Sequence, residues 1–121
     1  MLAQTLKLLP LEDPFLHQLQ TKIEAHLFDS ELTVTKMVRI VGISRTNLHL
    51  KLSQKAGISA SEFLRRLRLQ FAAQLLLEKR EWSVFQVALE VGFNSQPYFT
   101  VCFKRAFGCC PAAWRQQLEH L

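Results

Sequence analysis

The chain contains one short pattern twice, about fifty residues apart, and this repeat constrains the fold more than any other feature. In each copy a glycine precedes a serine, apolar residues stand four and eight positions after the serine, and a second glycine stands thirteen after it. The matching residues are Gly42, Ser44, Leu48, Leu52 and Gly57, and then Gly92, Ser95, Phe99, Phe103 and Gly108. The spacing predicts two helix pairs, each with a glycine turn and a serine cap on its second helix. That is the layout of a helix-turn-helix unit, whose second helix can enter the major groove of DNA.

The remaining sequence favours an all-α fold. Of the 121 residues, 49% are hydrophobic, which is enough for one compact domain or two small ones that share a helix. Four glycines, four prolines and the lack of long β-branched runs favour helices over strands. No apolar stretch approaches the twenty residues of a membrane span, and no leader pattern is present. We therefore expect a soluble, cytoplasmic protein with no membrane partner.

Helix-start signals and helix-spaced apolar residues predict seven helices and no strands. They divide the chain into a tether over 1–12, a lead-in helix within 13–31, a first helix-turn-helix over 32–58, a linker helix over 59–80, and a second helix-turn-helix with a C-terminal helix over 81–121. Asp13 and Pro14 mark the start of the lead-in helix, which we expect to reach about Phe28. Capping boxes are predicted for the pairs Ser59 with Glu62 and Ser83 with Gln86.

Positive charge is concentrated on the part of the chain that carries the repeats. Residues 1–31 have a balance of −3, whereas residues 32–121 hold thirteen Lys and Arg against five Asp and Glu, a balance of +8. A basic surface of this kind attracts a polyanion and gives salt-sensitive binding. The two matched units and this charge predict double-stranded DNA as the partner.

The sequence predicts neither an enzyme nor a cofactor. The three cysteines, Cys102, Cys109 and Cys110, have no CxxC pair and no histidine at zinc-site spacing, so we expect reduced thiols and no metal. No carboxylate pair, nucleophile–base pair or phosphate loop is recognisable, and a helical scaffold of this size has little room for a buried pocket.

Helical geometry separates packing residues from DNA-facing residues on the second helix of each unit. Opposite the buried stripes, base reading is predicted for Thr46, Asn47, His49, Leu50, Gln96, Pro97, Thr100 and Val101. Amide side chains can pair with adenine, and the methyl groups of Thr, Leu and Val can pack on thymine. Phosphate contacts are predicted for Ser44, Arg45, Lys51, Ser95, Tyr98, Lys104 and Arg105. Taken singly, each residue could be an ordinary solvated one, but two matched exposed faces favour a reading role.

A further basic group, Arg65, Arg66 and Arg68, lies on the predicted linker helix. These arginines could contact phosphate. They could equally form a solvated face on which Glu62 and Arg66 make an i,i+4 ion pair. The sequence leaves both interpretations open.

The stretch from Leu32 to Arg115 resembles the DNA-binding domain of AraC/XylS-type bacterial transcription regulators. The resemblance rests on Gly42-Ile43-Ser44-Arg45 with Leu48, Gly57-Ile58-Ser59, Phe63-Leu64-Arg65, Arg68-Leu69, Ala73-Gln74-Leu75-Leu76, the run from Ala88 to Gln96, Tyr98-Phe99, Phe103-Lys104, Gly108, Pro111 and Trp114-Arg115. It implies two subdomains joined by a rigid helix, with reading helices in successive major grooves about 34 Å apart. It also implies RNA polymerase as a partner, and the helix at 13–28 resembles the lead-in of members joined to a sensor or receiver domain.

The chain departs from the family pattern at two reading positions. Positions 50 and 101 often carry Arg or Lys in the family, whereas here they are Leu50 and Val101. Two guanine contacts are thereby lost, each worth about 1–3 kcal/mol of discrimination. We expect an AT-leaning site that is read partly through methyl contacts and DNA shape. The alternative is a helical protein-interaction module that has lost specific DNA readout, against which the remaining Arg45, Lys104 and Arg105 argue.

Overall fold

The computed structural model describes residues 8–10 and 12–117. Within these residues the regular structure consists of seven α-helices and one 3-10 turn, without strands. The helices are α1 (Pro14–Ile23), α2 (Val34–Val41), α3 (Arg45–Ala56), α4 (Ala60–Glu78), α5 (Val84–Glu90), α6 (Gln96–Phe107) and α7 (Pro111–Gln117), with the 3-10 turn at Glu24–His26 after α1. The prediction of an all-α fold with seven helices is confirmed. Here α2 and α3 form the first unit, α5 and α6 form the second unit, and α4 is the linker helix.

The lead-in helix begins as predicted but ends early. The Asp13 carboxylate accepts hydrogen bonds from the amides of Phe15 and Leu16, at 2.9 and 3.2 Å, and so caps α1. The α-helix stops at Ile23 and tightens into the 3-10 turn, so the prediction of a helix to Phe28 is wrong. After the turn, Leu27 is buried in the core and Phe28 is exposed.

The two predicted capping boxes differ. At Ser83 the box is complete, because the side chain and backbone of Gln86 exchange hydrogen bonds with Ser83. At Ser59 only half of the box forms. The Ser59 hydroxyl accepts from the amide of Glu62, but the Glu62 carboxylate turns to its ion pairs with the guanidinium groups of Arg65 and Arg66. Two charge-assisted bonds outweigh one bond to a backbone amide.

Two hydrophobic cores pack along the linker helix. The first contains residues of α1, α2, α3 and the N-terminal half of α4, and the second contains residues of the C-terminal half of α4 with α5, α6 and α7. The inward stripes predicted for the second helices are fully buried, with 0% exposure for Leu48, Leu52, Phe99 and Phe103. Leu9 is also buried in the first core. The predicted tether therefore includes a packed residue, whereas residues 1–7 and 11 lie outside the described part.

The C-terminal helix fastens the second unit to the end of the linker helix. Trp114 Nε1 donates to the Ala73 carbonyl at 3.1 Å. The Arg115 guanidinium donates to three carbonyl oxygens spaced three residues apart, those of Leu76 at 2.9 Å, Lys79 at 3.3 Å and Trp82 at 2.8 Å. The last four carbonyl groups of a helix have no hydrogen-bond partner within it. Arg115 supplies a donor to one of them, that of Leu76, and binds two carbonyls of the loop that follows α4. The predicted end of the last helix at Leu118 lies outside the described residues.

Candidate nucleic-acid interface

The second helix of each unit, α3 and α6, is called a reading helix below. Both are twelve residues long and start after a serine whose hydroxyl caps the helix. Ser44 Oγ accepts from the Asn47 amide at 3.1 Å, and Ser95 Oγ accepts from the Tyr98 amide at 3.3 Å. Each helix ends at a glycine in the left-handed region, with φ of 66° at Gly57 and 81° at Gly108. The sequence repeat therefore builds two equal helices.

The faces opposite the cores are open to solvent on both reading helices. Leu50 and Val101 stand six residues after their capping serines, and their side chains are 49% and 48% exposed. The other predicted base-reading residues are also accessible: Thr46, Asn47, His49, Gln96 and Pro97 are exposed, and Thr100 is half-buried. Half-exposed aliphatic side chains at equivalent positions therefore offer methyl surface on both open faces.

The predicted phosphate contacts fall into two groups. Lys104 and Arg105 are exposed on the last turns of α6, and Arg45 is exposed while donating to Thr35 Oγ1 at 2.7 Å. Lys51 is placed differently, because its ammonium lies 4.8 Å from the centroid of the Phe15 ring of α1. This cation–π contact holds Lys51 on the side of α3 that faces the lead-in helix, about 100° around the helix from Leu50.

The linker helix contacts the start of the second reading helix. Arg65 Nη1 donates to the Tyr98 hydroxyl oxygen at 3.2 Å, while Glu62 binds the other side of the Arg65 guanidinium. Burial alone would lower the pKa of Arg65, but the hydrogen bonds and charge of Tyr98 and Glu62 raise it. The Tyr98 hydroxyl proton stays available to a phosphate oxygen. The sequence carries no signal for this contact, since its residues are 33 positions apart.

A cleft of about 630 Å³ lies between the two units. It is lined by the start of α2, one side of α4 and the start of α6, including Thr33, Ser61, Arg65, Arg68, Asn94 and Ser95. None of its lining residues in the described structure is a carboxylate. Backbone amides at helix starts and arginine side chains both favour anions, so the cleft suits a phosphate backbone that passes between the reading helices.

The described residues contain neither a membrane-spanning helix nor a metal site. None of the helices there is long and apolar enough to cross a membrane. The part of the chain that the structure describes contains no cluster of histidine, cysteine or acidic side chains that could hold a metal ion. Cys102, Cys109 and Cys110 are free thiols, and burial raises the pKa of Cys109.

Comparisons with known proteins agree with this architecture. A family model described as a helix-turn-helix domain matches residues 37–117. The transcriptional regulator MtrA of Neisseria gonorrhoeae is 37% identical over 89 residues, which are 74% of this chain and 29% of MtrA. The C-terminal domain of AraT, a response regulator from Geobacillus stearothermophilus, has a TM-score of 0.73 at 30% identity, over 87% of this chain and 86% of its own.

A second similar structure was solved with DNA bound. The DNA-binding domain of AdpA, in complex with a target DNA, has a TM-score of 0.73 at 26% identity, over 87% of this chain and 93% of its own. The present chain spans under a third of the length of MtrA. The family match covers two thirds of this chain and includes both reading helices. The chain belongs to the AraC-type family of helix-turn-helix transcription regulators, and its described residues have the fold of that family's DNA-binding domain.

Proposed function

We propose that this chain reads double-stranded DNA sequence-specifically as the output domain of a transcription regulator, with α3 and α6 in successive major grooves on one face of the duplex. The observation that carries the proposal is the pair of matched exposed faces on two equal, serine-capped helices presented by one linker helix. The complex of the AdpA domain with its target DNA supports the same mode for this fold. The balance of +8 over residues 32–121 would draw the duplex to these faces.

Each group of predicted residues has a distinct task in this proposal. Thr46, His49 and Leu50 read one half-site, flanked by Asn47. In the other half-site the readers are Gln96, Pro97 and Val101, flanked by Thr100. The capping hydroxyls of Ser44 and Ser95, together with the free amides of the helix starts, bind phosphate oxygens. Phosphate is also bound by the side chains of Arg45, Tyr98, Lys104 and Arg105, and Lys51 joins them only if it leaves the Phe15 ring.

Leu50 and Val101 define the base preference that we propose. Neither side chain can donate a hydrogen bond to guanine, and each presents methyl groups to the groove. Packing on the thymine methyl therefore favours A·T pairs at these two positions. The expected operator is two AT-leaning half-sites about one helical turn apart.

The rest of the regulator lies outside the described structure in this proposal. Because MtrA is more than three times as long as the segment it shares with this chain, we propose a sensor or receiver domain in the full-length protein. We place that protein in the bacterial cytoplasm, with RNA polymerase as the partner that it recruits or blocks.

One observation favours a second candidate function. Phe85 and Leu89, one turn apart on α5, are 43% and 46% exposed, in addition to Leu50 and Val101. Exposed apolar side chains can mark protein contacts. A protein-interaction module without specific DNA readout is therefore the alternative.

The test is selection from a pool of random duplexes at two salt concentrations, followed by sequencing of the retained DNA. A motif with two halves about one turn apart, and affinity that falls as salt rises, would support the proposal. Retention without a motif would limit the chain to backbone contacts. No retention even at low salt would refute DNA binding and favour the protein-interaction module.

A matched pair of variants sharpens this selection. Val101→Ala removes methyl surface from a reading helix, whereas Phe85→Ala removes an equally exposed apolar side chain from α5. Under the proposal, Val101→Ala weakens the preference at one position of one half-site, and Phe85→Ala leaves the whole motif unchanged. A motif that changes with Phe85→Ala and not with Val101→Ala would contradict the assignment of α6 as a reading helix.

A further inference from the structure

We propose that Arg68 determines the spacing between the two DNA half-sites, by locking the turn of the second unit against the first. The inference rests on the proposed function for its DNA readout. The contact consists of the Arg68 guanidinium, the Gly92 backbone, and the carbonyl oxygens of Leu27 and Asp29, and is called the junction below. It joins the linker helix, the second unit and the segment that follows the lead-in helix.

Arg68 reaches the first half of the molecule through a hydrogen bond. Its Nη2 donates to the Asp29 carbonyl at 2.9 Å. Its Nε is buried and has no hydrogen-bond partner within the described residues. Burial lowers the pKa of Arg68, and the nearby charge of Asp29 partly offsets this. Arg68 is thus half-buried, with its Nε enclosed by the atoms packed around it and its Nη2 at the surface of the junction.

Gly92 completes the junction from the other side. Its φ is 94°, and a methyl group on its Cα would lie 2.8 Å from Arg68 Nε, 2.9 Å from Arg68 Cζ and 2.8 Å from the Leu27 carbonyl oxygen. Carbon atoms in proteins do not approach polar atoms this closely. The glycine backbone therefore lies directly against both the guanidinium and the first half of the molecule, and no other residue fits there.

The first unit shows that this contact is not a general feature of the repeat. Gly42 stands at the equivalent turn and also has a positive φ, 79°, but a methyl group there would meet no atom within 4 Å. Both turns need the left-handed conformation, and only the second needs the close approach. A comparison of the two glycines therefore separates backbone strain from the junction.

The location of the junction explains why it would control spacing. Leu27 belongs to the first core, and Val91, next to Gly92, belongs to the second. The two cores are connected by the continuous helix α4, so bending or twisting of that helix would rotate the second unit relative to the first. The junction opposes that rotation. Without it, each reading helix would have a lower effective concentration at its half-site, and several spacings would be tolerated.

The test uses duplexes that carry the two half-sites obtained by selection, with the chosen spacer and with one or two base pairs added or removed. The proteins are the wild type, Arg68→Ala, Arg68→Lys, Gly92→Ala and Gly42→Ala, and thermal unfolding confirms that each is folded at the assay temperature. We expect Arg68→Ala and Gly92→Ala to lose about tenfold in affinity at the best spacing and to bind the other spacers nearly as well. Gly42→Ala keeps the wild-type preference. Arg68→Lys, which can still donate one bond to Asp29, is intermediate.

Folded Arg68→Ala and Gly92→Ala proteins with wild-type spacing preference would overturn the inference. The inference would also be overturned if Gly42→Ala lost its preference for the best spacing as much as Gly92→Ala does. If Arg68→Ala does not fold, Arg68→Lys and the two glycine variants decide. If the wild type selects no motif, the proposed function fails by itself. Amide hydrogen exchange without DNA then tests the junction alone. If the junction holds the units together, amides 27–29 and 92–93 exchange faster in Gly92→Ala than in the wild type, but not in Gly42→Ala. Equal exchange rates in the two glycine variants would refute the junction.

Discussion

Arg115 should be one of the most important polar residues for stability, although it lies outside the proposed DNA interface. Its guanidinium donates to the carbonyl oxygens of Leu76 and Trp82 at 2.9 and 2.8 Å, both partly buried, and to the more exposed Lys79 carbonyl at 3.3 Å. A hydrogen bond to a charged donor contributes about 1.5–3 kcal/mol, and the exposed carbonyl can be rehydrated when the donor is lost. Because the Leu76 and Trp82 carbonyls are only partly buried, each bond is taken at about 1–2 kcal/mol, and Arg115→Ala is expected to reduce the free energy of unfolding by about 2–4 kcal/mol.

Urea denaturation followed by circular dichroism measures this loss. With a urea dependence of about 2 kcal/mol per M, the midpoint should fall by about 1–2 M. Arg39→Ala, which removes an exposed arginine from α2, is the control and should change stability by less than about 0.5 kcal/mol. Arg115→Lys should recover part of the loss. A loss below about 1 kcal/mol for Arg115→Ala, or an equal loss for Arg39→Ala, would refute the idea that these bonds hold the second unit on the linker helix.

Three further perturbations have defined outcomes. Ser44→Ala removes the cap of α3 and should lower the free energy of unfolding by about 1 kcal/mol, measured by urea denaturation, and an unchanged midpoint would contradict the cap. The Lys55 ammonium donates a hydrogen bond to Asp13 and holds the pKa of that carboxyl below its ordinary 3.8, so its contribution is present above that value and disappears as the pH falls through the folded pKa. The difference in thermal midpoint between the wild type and Asp13→Asn should accordingly shrink as the pH falls below about 4, and a constant difference would exclude the pair as its cause. Lys104→Ala should weaken binding to all duplexes alike and reduce the slope of log affinity against log salt by about 1, whereas Lys55→Ala, on the lead-in side, should leave the slope unchanged.

Local sequence patterns predict the helices and the buried stripes because both depend on residues within one or two turns. The spacing of Leu48 and Leu52 from Ser44 is such a pattern, and the structure confirms both burial and cap. The exposed faces follow from the same geometry, although the DNA contacts assigned to them stay a prediction. The apolar spacing did not predict the early end of α1, because it continues through Leu27 although the backbone changes to a 3-10 turn after Ile23.

The contacts that the sequence did not predict all join distant segments. The contacts of Arg65 with Tyr98, of Arg68 with Asp29, and of Arg115 with the end of α4 and the loop after it join residues 33 to 39 positions apart. Each involves an arginine that looks like an ordinary surface residue in a basic chain. Periodicity carries no information about which carbonyl or hydroxyl an arginine reaches after folding. One sequence alone therefore shows which faces are buried, and only the structure shows how the units are fixed to each other.

The two units share a repeat but are completed by different helices. In the first core, Leu16, Leu19 and Ile23 of α1 cover the first unit, whereas Trp114 of α7 covers part of the second. Burial of three large aliphatic side chains contributes about 5–9 kcal/mol, which is comparable to the whole stability of a small domain. The lead-in helix is thus a structural part of the first unit and not a passive connection. Since the segment after it supplies the Leu27 and Asp29 carbonyls to the junction, the lead-in helix is connected through Arg68 and Gly92 to the turn that precedes the second reading helix.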